Sequence, residues 1–175
     1  MADMAAAPQL ITLQEFLDEY GAENGYEYWF GEVVRKGMVT WKHALLARVL
    51  ANILEQHGYK TGGEIDLVID PDWRPRPDVL AAHRVEHPYP TSPQSAEIVI
   101  EVLSPDDRMN RVFRKCRHYV RVGIPQIFVF DPESKDAWEW SRTTDNLERI
   151  EIMQLDATTI AVDTVWKEFD ARLEE

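Results

Sequence analysis

Cysteine, long apolar runs and basic residues are all scarce in this sequence. The single cysteine, Cys116, excludes an internal disulfide and fits the reducing conditions of a cytoplasm. No apolar run approaches the length of a membrane span, and the first residues contain an acid without a basic cluster, unlike a signal peptide. We therefore expect a cytoplasmic protein that has no membrane partner.

Positive charge is scarce overall but concentrated in one segment. The chain has 19 lysines and arginines against 31 acids, a net charge of −12, which disfavours broad non-specific binding to nucleic acid. Residues 108–121, however, contain five arginines, one lysine and one histidine, with no acid among them. This segment is either a substrate-binding patch or a solvated helix face that balances an acidic body.

Strand and helix patterns alternate along a chain of ordinary globular composition. Its 175 residues, 45% hydrophobic and 29% charged, predict a single domain over residues 1–175, with residues 1–9 flexible. The patterns predict helices at residues 13–20, 40–57 and 105–122, and strands at residues 26–36, 64–69, 76–82, 97–103, 127–130, 137–140, 147–153 and 158–162. This order predicts an α/β (α+β) fold with a mixed central sheet, an extra N-terminal helix and strand, and a C-terminal β meander.

An acid stands inside the most hydrophobic strand of the sequence. Residues 97–103 are mostly β-branched and apolar, so a strand buried on both faces carries Glu101. A buried carboxylate must be paired, protonated or bound to a metal. Asp78 introduces another short apolar strand, and Lys115 follows on the next helix. Two acids and a lysine on neighbouring core elements are the parts of a divalent-metal phosphodiesterase site.

In such a site, Asp78, Glu101 and the backbone carbonyl of Val102 would bind Mg²⁺ or Mn²⁺. Lys115 would position the attacking water or stabilise the charge that develops on the phosphate. The same residues also fit a purely structural interpretation. Asp78 would then pair with Arg76, and Glu101 would form a buried salt bridge with Lys115 and nothing more.

Several short motifs are spaced along residues 10–140. They are Gly31-Glu32, His43, Pro77-Asp78, the run from Glu101 to Pro105, Lys115, Tyr119, Gly123-Ile124-Pro125 and Asp131-Pro132. Together they resemble the Uma family of endonucleases, in the restriction-endonuclease-like, PD-(D/E)-x-K superfamily. The resemblance implies an αβββαβ core, with the aspartate on the second core strand and the glutamate on the third.

The resemblance also implies roles for single residues. It favours Glu32 as a third carboxylate near the metal site. Most of the superfamily carries its lysine two residues after the second acid, where this chain has Leu103. The resemblance therefore implies that Lys115, on the following helix, has the role of that lysine. The sequence fits two roles for His43: a core or capping residue, or a residue that positions substrate or metal.

Two other patterns have structural interpretations. A literal Glu-x-Lys sequence at Glu133 and Lys135 lies among turn-forming residues and is interpreted as a solvated hairpin turn. Trp138 and Trp140 alternate along one strand, and their shared face is typical of a core or of a dimer contact.

The predicted function is a metal-dependent endonuclease that hydrolyses DNA, where DNA is inferred from the fold alone. We expect His43, Arg108, Arg111 and Arg114 to bind the substrate. A homodimer is expected, because two sites would cut two strands. The alternative is a catalytically inactive nucleic-acid- or protein-binding regulatory module that retains the nuclease fold. The net charge of −12 favours that alternative.

Overall fold

A computed structural model describes residues 10–23 and 25–174, so the flexibility predicted for residues 1–9 lies outside the described residues. Four α-helices are present in this part of the chain: α1 (Leu13–Glu19), α2 (Trp41–Gln56), α3 (Met109–Arg121) and α4 (Val162–Glu174). None of these helices has both the length and the apolarity that a membrane span requires.

The strands of the described residues form three sheets. A small antiparallel sheet contains β1 (Tyr26–Trp29), β2 (Glu32–Arg35) and β4 (Trp73–Arg74). The central sheet has the order β3-β5-β6-β7-β8-β9 and consists of β3 (Lys60–Gly62), β5 (Val79–Ala82), β6 (Ile98–Val102), β7 (Gln126–Asp131), β8 (Asp136–Ser141) and β9 (Asn146–Arg149). A separate hairpin pairs β10 (Ile152–Gln154) with β11 (Thr159–Ala161).

The central sheet is mixed, as the sequence predicts. Strands β6 and β7 are parallel and are connected through α3, whereas the other neighbouring pairs are antiparallel. The element order α2, β3, β5, β6, α3, β7 reproduces the expected αβββαβ core. Asp78 directly precedes the second core strand, and Glu101 lies in the third.

Apolar layers cover both faces of the central sheet, so β6 is buried along its whole length. Ile98 and Ile100 point into one core cluster with residues of α2 and α4, and Val99 points into the other with residues of α3 and β4. Because side chains alternate along a strand, Glu101 falls on the same face as Val99, beneath α3. This alternation places a carboxylate between the sheet and the basic helix.

Residues 64–69 are not the strand that their alternating pattern predicts. The first core strand is β3, and the segment after it is irregular. Its backbone amides bond instead to loop carbonyls, from Glu64 to Pro77, from Leu67 to Pro75 and from Val68 to Pro90. The alternation of apolar and polar residues in this segment therefore indicates burial, since Leu67 is 1% exposed, but it does not indicate pairing in the sheet.

The third helix begins four residues later than predicted, at Met109. Asp107 accounts for the difference, because its side chain accepts the backbone N–H of Ser104 at 2.7 Å and its own N–H donates to the Ser104 carbonyl. These bonds close a turn that competes with helix formation at residues 105–107.

The C-terminal meander is only partly correct, because the chain ends in the helix α4. The strand that precedes it, β11, stops at Ala161. The apolar residues Val162, Val165, Trp166 and Phe169 follow helical spacing, and all four are buried against the α2 side of the sheet. That spacing was the available signal for a helix.

The face of β8 that carries both tryptophans is covered by α3. Trp140 is 5% exposed, its ring lies 5.7 Å from that of Phe113, and the Arg117 guanidinium sits 5.7 Å from its centre. Trp138 packs against the same cluster. This face is core, so it does not provide the dimer contact that the sequence suggested as one use for it.

Candidate active site

Asp78 and Glu101 line the same cavity, which is about 50 Å³ in volume and has room for a few water molecules. Val79 pairs with Ile100 in the antiparallel register of β5 and β6, so the next residues along, Asp78 and Glu101, fall opposite each other. The backbone N–H of Val102 donates to Asp78 Oδ2 at 2.8 Å, which fixes this carboxylate at the end of the sheet.

Asp78 is buried and surrounded by donors. Lys36 Nζ lies 3.2 Å from Asp78 Oδ1, and His43 Nε2 lies 3.3 Å from Oδ2. Burial opposes ionisation, but the hydrogen bond from His43 and the positive charge of Lys36 outweigh it and hold the pKa of Asp78 well below its usual range. The carboxylate is therefore charged at neutral pH.

Glu101 is buried in a different electrostatic environment. Lys115 Nζ donates to Glu101 Oε2 at 2.9 Å, and the Tyr119 hydroxyl donates to Oε1 at 2.6 Å. Burial is the largest influence and raises the pKa of Glu101 to about 7; the charge of Lys115 opposes this rise, and those of Asp78 and Glu27 add to it. Two facing acids with pKa values pushed apart are typical of a functional site.

The predicted lysine reaches the site from α3. Lys115 is 7% exposed, and Nζ also donates to Glu27 Oε1 at 2.8 Å. Burial lowers its pKa, but the charges of Glu101 and Glu27 outweigh burial and raise the pKa above its ordinary value. Lys115 is therefore an ammonium group at neutral pH, which can donate hydrogen bonds to a water or to a phosphate oxygen.

Glu27 is the third carboxylate of the site, and the sequence did not identify it. Its Oε1 accepts the backbone N–H of Arg76 at 2.7 Å as well as the Lys115 ammonium, and its Oε2 accepts the Trp29 indole N–H at 2.9 Å. It is 2% exposed. The available signal was an acid between the aromatic residues of β1, a strand that the structure buries almost completely.

Glu32, predicted for that place, lies elsewhere. It pairs with Arg114 at 3.3 Å on the surface, its side chain is 37% exposed, and it does not line the cavity. Trp29 pairs with Glu32 in the register of β1 and β2, so Glu32 lies on the same face of the hairpin as Trp29 and Glu27. Glu32 is, however, next to the turn, where it is partly exposed, whereas Glu27 lies two residues away from the turn and is covered by the core.

Lys36 is a second unpredicted contributor. Its Nζ donates to both carboxylate oxygens of Glu64 at 2.7 Å and to the Arg76 carbonyl at 2.8 Å, besides contacting Asp78. Lys36 and Glu64 therefore extend the charged network of the cavity along the side that faces α2.

The remaining predicted residues take separate positions. His43 lies in the cavity wall, and its Nδ1 is buried without a hydrogen-bond partner among the described residues. Arg111 lines the cavity and donates to the Arg35 carbonyl at 2.9 Å.

Arg108 is the exposed N-cap residue of α3, and Arg114 is exposed one turn beyond Arg111. Arg76 pairs with Asp66 and not with Asp78.

The donors around the cavity fit a hard divalent cation. The described residues contain no group of three or more His, Cys, Asp or Glu side chains that would hold a metal alone. Mg²⁺, however, usually takes one or two carboxylates and completes its shell with water and substrate oxygens. Asp78 and Glu101 supply two carboxylates, and the cavity lining includes Val102. A divalent cation would also relieve the repulsion between acids that contributes to the raised pKa of Glu101.

A comparison with solved structures shows which known fold this chain has. The crystal structure titled as a "putative nuclease belonging to DUF820" from Anabaena variabilis ATCC 29413 superposes with a TM-score of 0.73 at 19% identity, covering 91% of this chain and 99% of that one. A DrdV–DNA complex matches with a TM-score of 0.38 at 16% identity over 70% of this chain and 11% of that one. No curated protein sequence matches this chain significantly.

The family follows from the sequence. The model of the Uma2 family, described as "Putative restriction endonuclease", matches residues 13–174. The chain belongs to this family and has its restriction-endonuclease-like nuclease fold, as the motifs around Asp78 and Glu101 predict.

Proposed function

We propose that this protein is a metal-dependent endonuclease that hydrolyses DNA phosphodiester bonds. Asp78, Glu101 and the Val102 carbonyl would bind Mg²⁺ or Mn²⁺. The observation that carries the proposal is the meeting of two buried carboxylates from adjacent strands with a buried ammonium group in one cavity. The family match and the nuclease fold support the same conclusion.

The bound cation would supply charge neutralisation at the phosphate and lower the pKa of a water molecule. The chain itself would orient the reactants. Glu27 and Glu101 hold Lys115 Nζ from two sides, so its third N–H can donate to the attacking water or to a phosphate oxygen. The raised pKa of Lys115 favours the charged form, which is the form that donates.

The substrate would enter across the basic face of α3. We assign Arg111, together with His43, to the phosphate at the cavity, and Arg108 and Arg114 to its flanks. His43 suits this role because its Nδ1 is buried without a protein partner, whereas its Nε2 is already engaged by Asp78. The pKa of His43 is raised, since the hydrogen bond and charge of Asp78 outweigh its burial, and a protonated imidazole would donate from both nitrogens.

A second function is favoured by one specific observation. Both acids already have cationic partners, Lys36 for Asp78 and Lys115 for Glu101, so the network is nearly neutralised without a metal. A catalytically inactive nucleic-acid- or protein-binding regulatory module would retain such a network as a structural one. A homodimer is compatible with either function and would need a surface other than the covered Trp138–Trp140 face.

Nicking of supercoiled plasmid DNA in Mn²⁺ separates the two functions. We expect the wild-type protein to nick, and Asp78→Asn, Glu101→Gln and Lys115→Met to lose at least about 100-fold in rate, since even substitutions behind metal ligands cost about 10–100-fold. Glu133→Gln, in the surface Glu-x-Lys sequence of the β7–β8 turn, is the matched control and should retain full activity. Equal residual rates in wild-type protein and all variants would favour the inactive module.

A further inference from the structure

A second pocket lies on the outer side of α3. It is about 450 Å³ in volume, a size typical of ligand sites, and it is separate from the small cavity at Asp78. Its lining includes Phe30, Arg114, Arg117, His118, Arg121 and Asp145. Arg117, Arg121 and Phe30 line this pocket and lie outside the Asp78–Glu101 cavity.

The arginines of this pocket form a row, and two of them contact aromatic rings. Arg114, Arg117 and Arg121 follow spacings of three and four residues, so they share one face of α3, and all three are exposed. The Arg114 guanidinium sits 5.3 Å from the ring centre of Trp29, and that of Arg117 sits 5.7 Å from the ring centre of Trp140. Stacking of this kind orders a guanidinium before a ligand arrives.

The acids beside these arginines hold them only weakly. Asp145 pairs with Arg117 at 3.0 Å, but both side chains are more than half exposed. Glu32 contacts Arg114 at 3.3 Å, again at the surface. Exposed pairs of this kind contribute little and are screened by salt, so a phosphate group can replace the carboxylates.

Phe30 marks the rim of the pocket by its conformation. It is 39% exposed and has a φ of 52°, in the left-handed region that non-glycine residues rarely adopt. Its N–H donates to the Asp72 carbonyl at 2.7 Å, and its ring meets His118 edge-on at 4.7 Å. Phe30 and Gly31 form the two-residue turn of the β1–β2 hairpin, which requires a positive φ at both positions, so the turn fixes the exposed Phe30 ring at the pocket.

The pocket is next to the candidate active site. Trp29 lines both cavities, and the arginine row runs from Arg111 in the first to Arg121 in the second. Ten helical residues span about 15 Å, which corresponds to about four nucleotides of duplex rise. A polymer with regularly spaced phosphates can follow such a row, whereas a single small anion would occupy only one end of it.

We infer that the pocket of Phe30, Arg117 and Arg121 binds a backbone phosphate of the nucleic acid several nucleotides away from the bond at the Asp78–Glu101 cavity. The inference rests on the proposed function for its substrate class, but it concerns binding and requires no cleavage. Arg117 and Arg121 would contact phosphate oxygens, and Phe30 would pack against the adjoining sugar or base.

Salt-dependent binding of a fluorescein-labelled DNA duplex, followed by anisotropy in EDTA, tests the inference. Each phosphate contact contributes about 0.9 to the slope of log K against log salt. The double variant Arg117→Ala/Arg121→Ala removes the one phosphate contact of this pocket and should therefore lower the slope by about 1. The matched control Arg48→Ala/Arg84→Ala removes two exposed arginines outside both pockets and should leave the slope unchanged.

A second variant tests the aromatic rim. Phe30→Asn keeps a residue that tolerates a positive φ, so the hairpin should fold normally. We expect affinity for the duplex to fall at least about 5-fold with an unchanged salt slope, because stacking or packing is lost but no charge. An unchanged affinity would remove Phe30 from the site.

The outcomes separate this inference from the proposed function. An unchanged slope in Arg117→Ala/Arg121→Ala would overturn the inference even if the wild-type protein cuts DNA, as would equal loss in the Arg48/Arg84 control. Equally tight binding of an acidic peptide would overturn the assignment to nucleic acid, and so would failure of the wild-type protein to bind any duplex at low salt. A lowered slope in a protein that never cuts would support the pocket and refute the nuclease.

Discussion

Replacement of Glu101 by glutamine should change how stability depends on pH. In the folded protein without metal, the pKa of Glu101 is raised from 4.5 to about 7 by burial, whereas in the unfolded chain it returns to its ordinary value. Between these values the folded state holds a proton that the unfolded state has released. The free energy of unfolding of the wild-type protein must therefore fall as pH rises through this window.

The size of the effect follows from the same shift. One pKa unit corresponds to about 1.4 kcal/mol, so a shift from 4.5 to about 7 makes the ionised folded state about 3 kcal/mol less stable at pH 8 than at pH 4.5. Glutamine carries no charge at either pH, so Glu101→Gln lacks this contribution. The lowered pKa of Asp78 acts below pH 4 and does not enter the window.

Urea denaturation in EDTA, followed by tryptophan fluorescence between pH 4.5 and 8, measures this difference. The stability of Glu101→Gln relative to the wild-type protein should increase by about 3 kcal/mol across the range. Glu86→Gln, at an exposed loop position, is the control and should run parallel to the wild-type curve. If Glu101→Gln also runs parallel, Glu101 does not carry a raised pKa and the electrostatic account of the site is wrong.

Three further predictions concern the supports of the site and the core. Glu27→Gln should cost about 3 kcal/mol in unfolding free energy, because it leaves a buried ammonium with one carboxylate, and should also reduce nicking per folded molecule. Phe169→Ala in α4 should cost about 3–5 kcal/mol in urea denaturation with nicking per folded molecule unchanged, since its ring is 1% exposed in the core beyond α2. The Cys116 thiol, whose pKa is raised by burial, should react with a thiol reagent only after denaturation, and rapid labelling of the native protein would contradict the packing of α3.

The central strand and its acid could be predicted from sequence because their signals are local. An apolar run long enough for one strand, closed by Ser104-Pro105, leaves few alternatives to burial, and Glu101 within it then requires a partner. The sequence also predicts Lys115 as a residue of this site, but its distance along the chain does not show whether its side chain reaches Glu101. Its side chain arrives because α3 packs back across the face of the sheet that carries Glu101.

Glu27 and Lys36 could not be predicted in the same way. Each lies more than forty residues before Asp78, Glu27 in the small sheet and Lys36 directly after it, and the position of this sheet over the central sheet has no local signal. Glu32 belongs to the Gly31-Glu32 motif and shares a face of the hairpin with Glu27, but it lies at the turn end, at the surface beside Arg114. Long-range packing therefore decided which acid of the hairpin joins the site.

The helix α4 was missed for a different reason. Its helical spacing is clear from Val162 to Phe169, but it follows directly on the short strand β11 without a proline or glycine between them. The strand pattern of residues 158–162 therefore includes the first residue of the helix, and no residue marks the boundary between the two elements.

Anomalous diffraction from crystals soaked in Mn²⁺ tests the central claim most directly. A single strong peak within ligand distance of the carboxylates of Asp78 and Glu101, and absent in Asp78→Asn, is the predicted result. Occupied Lys36–Asp78 and Lys115–Glu101 ion pairs without a manganese peak, at a concentration that supports nicking, would show that these acids hold the fold together and that any cleavage takes place elsewhere.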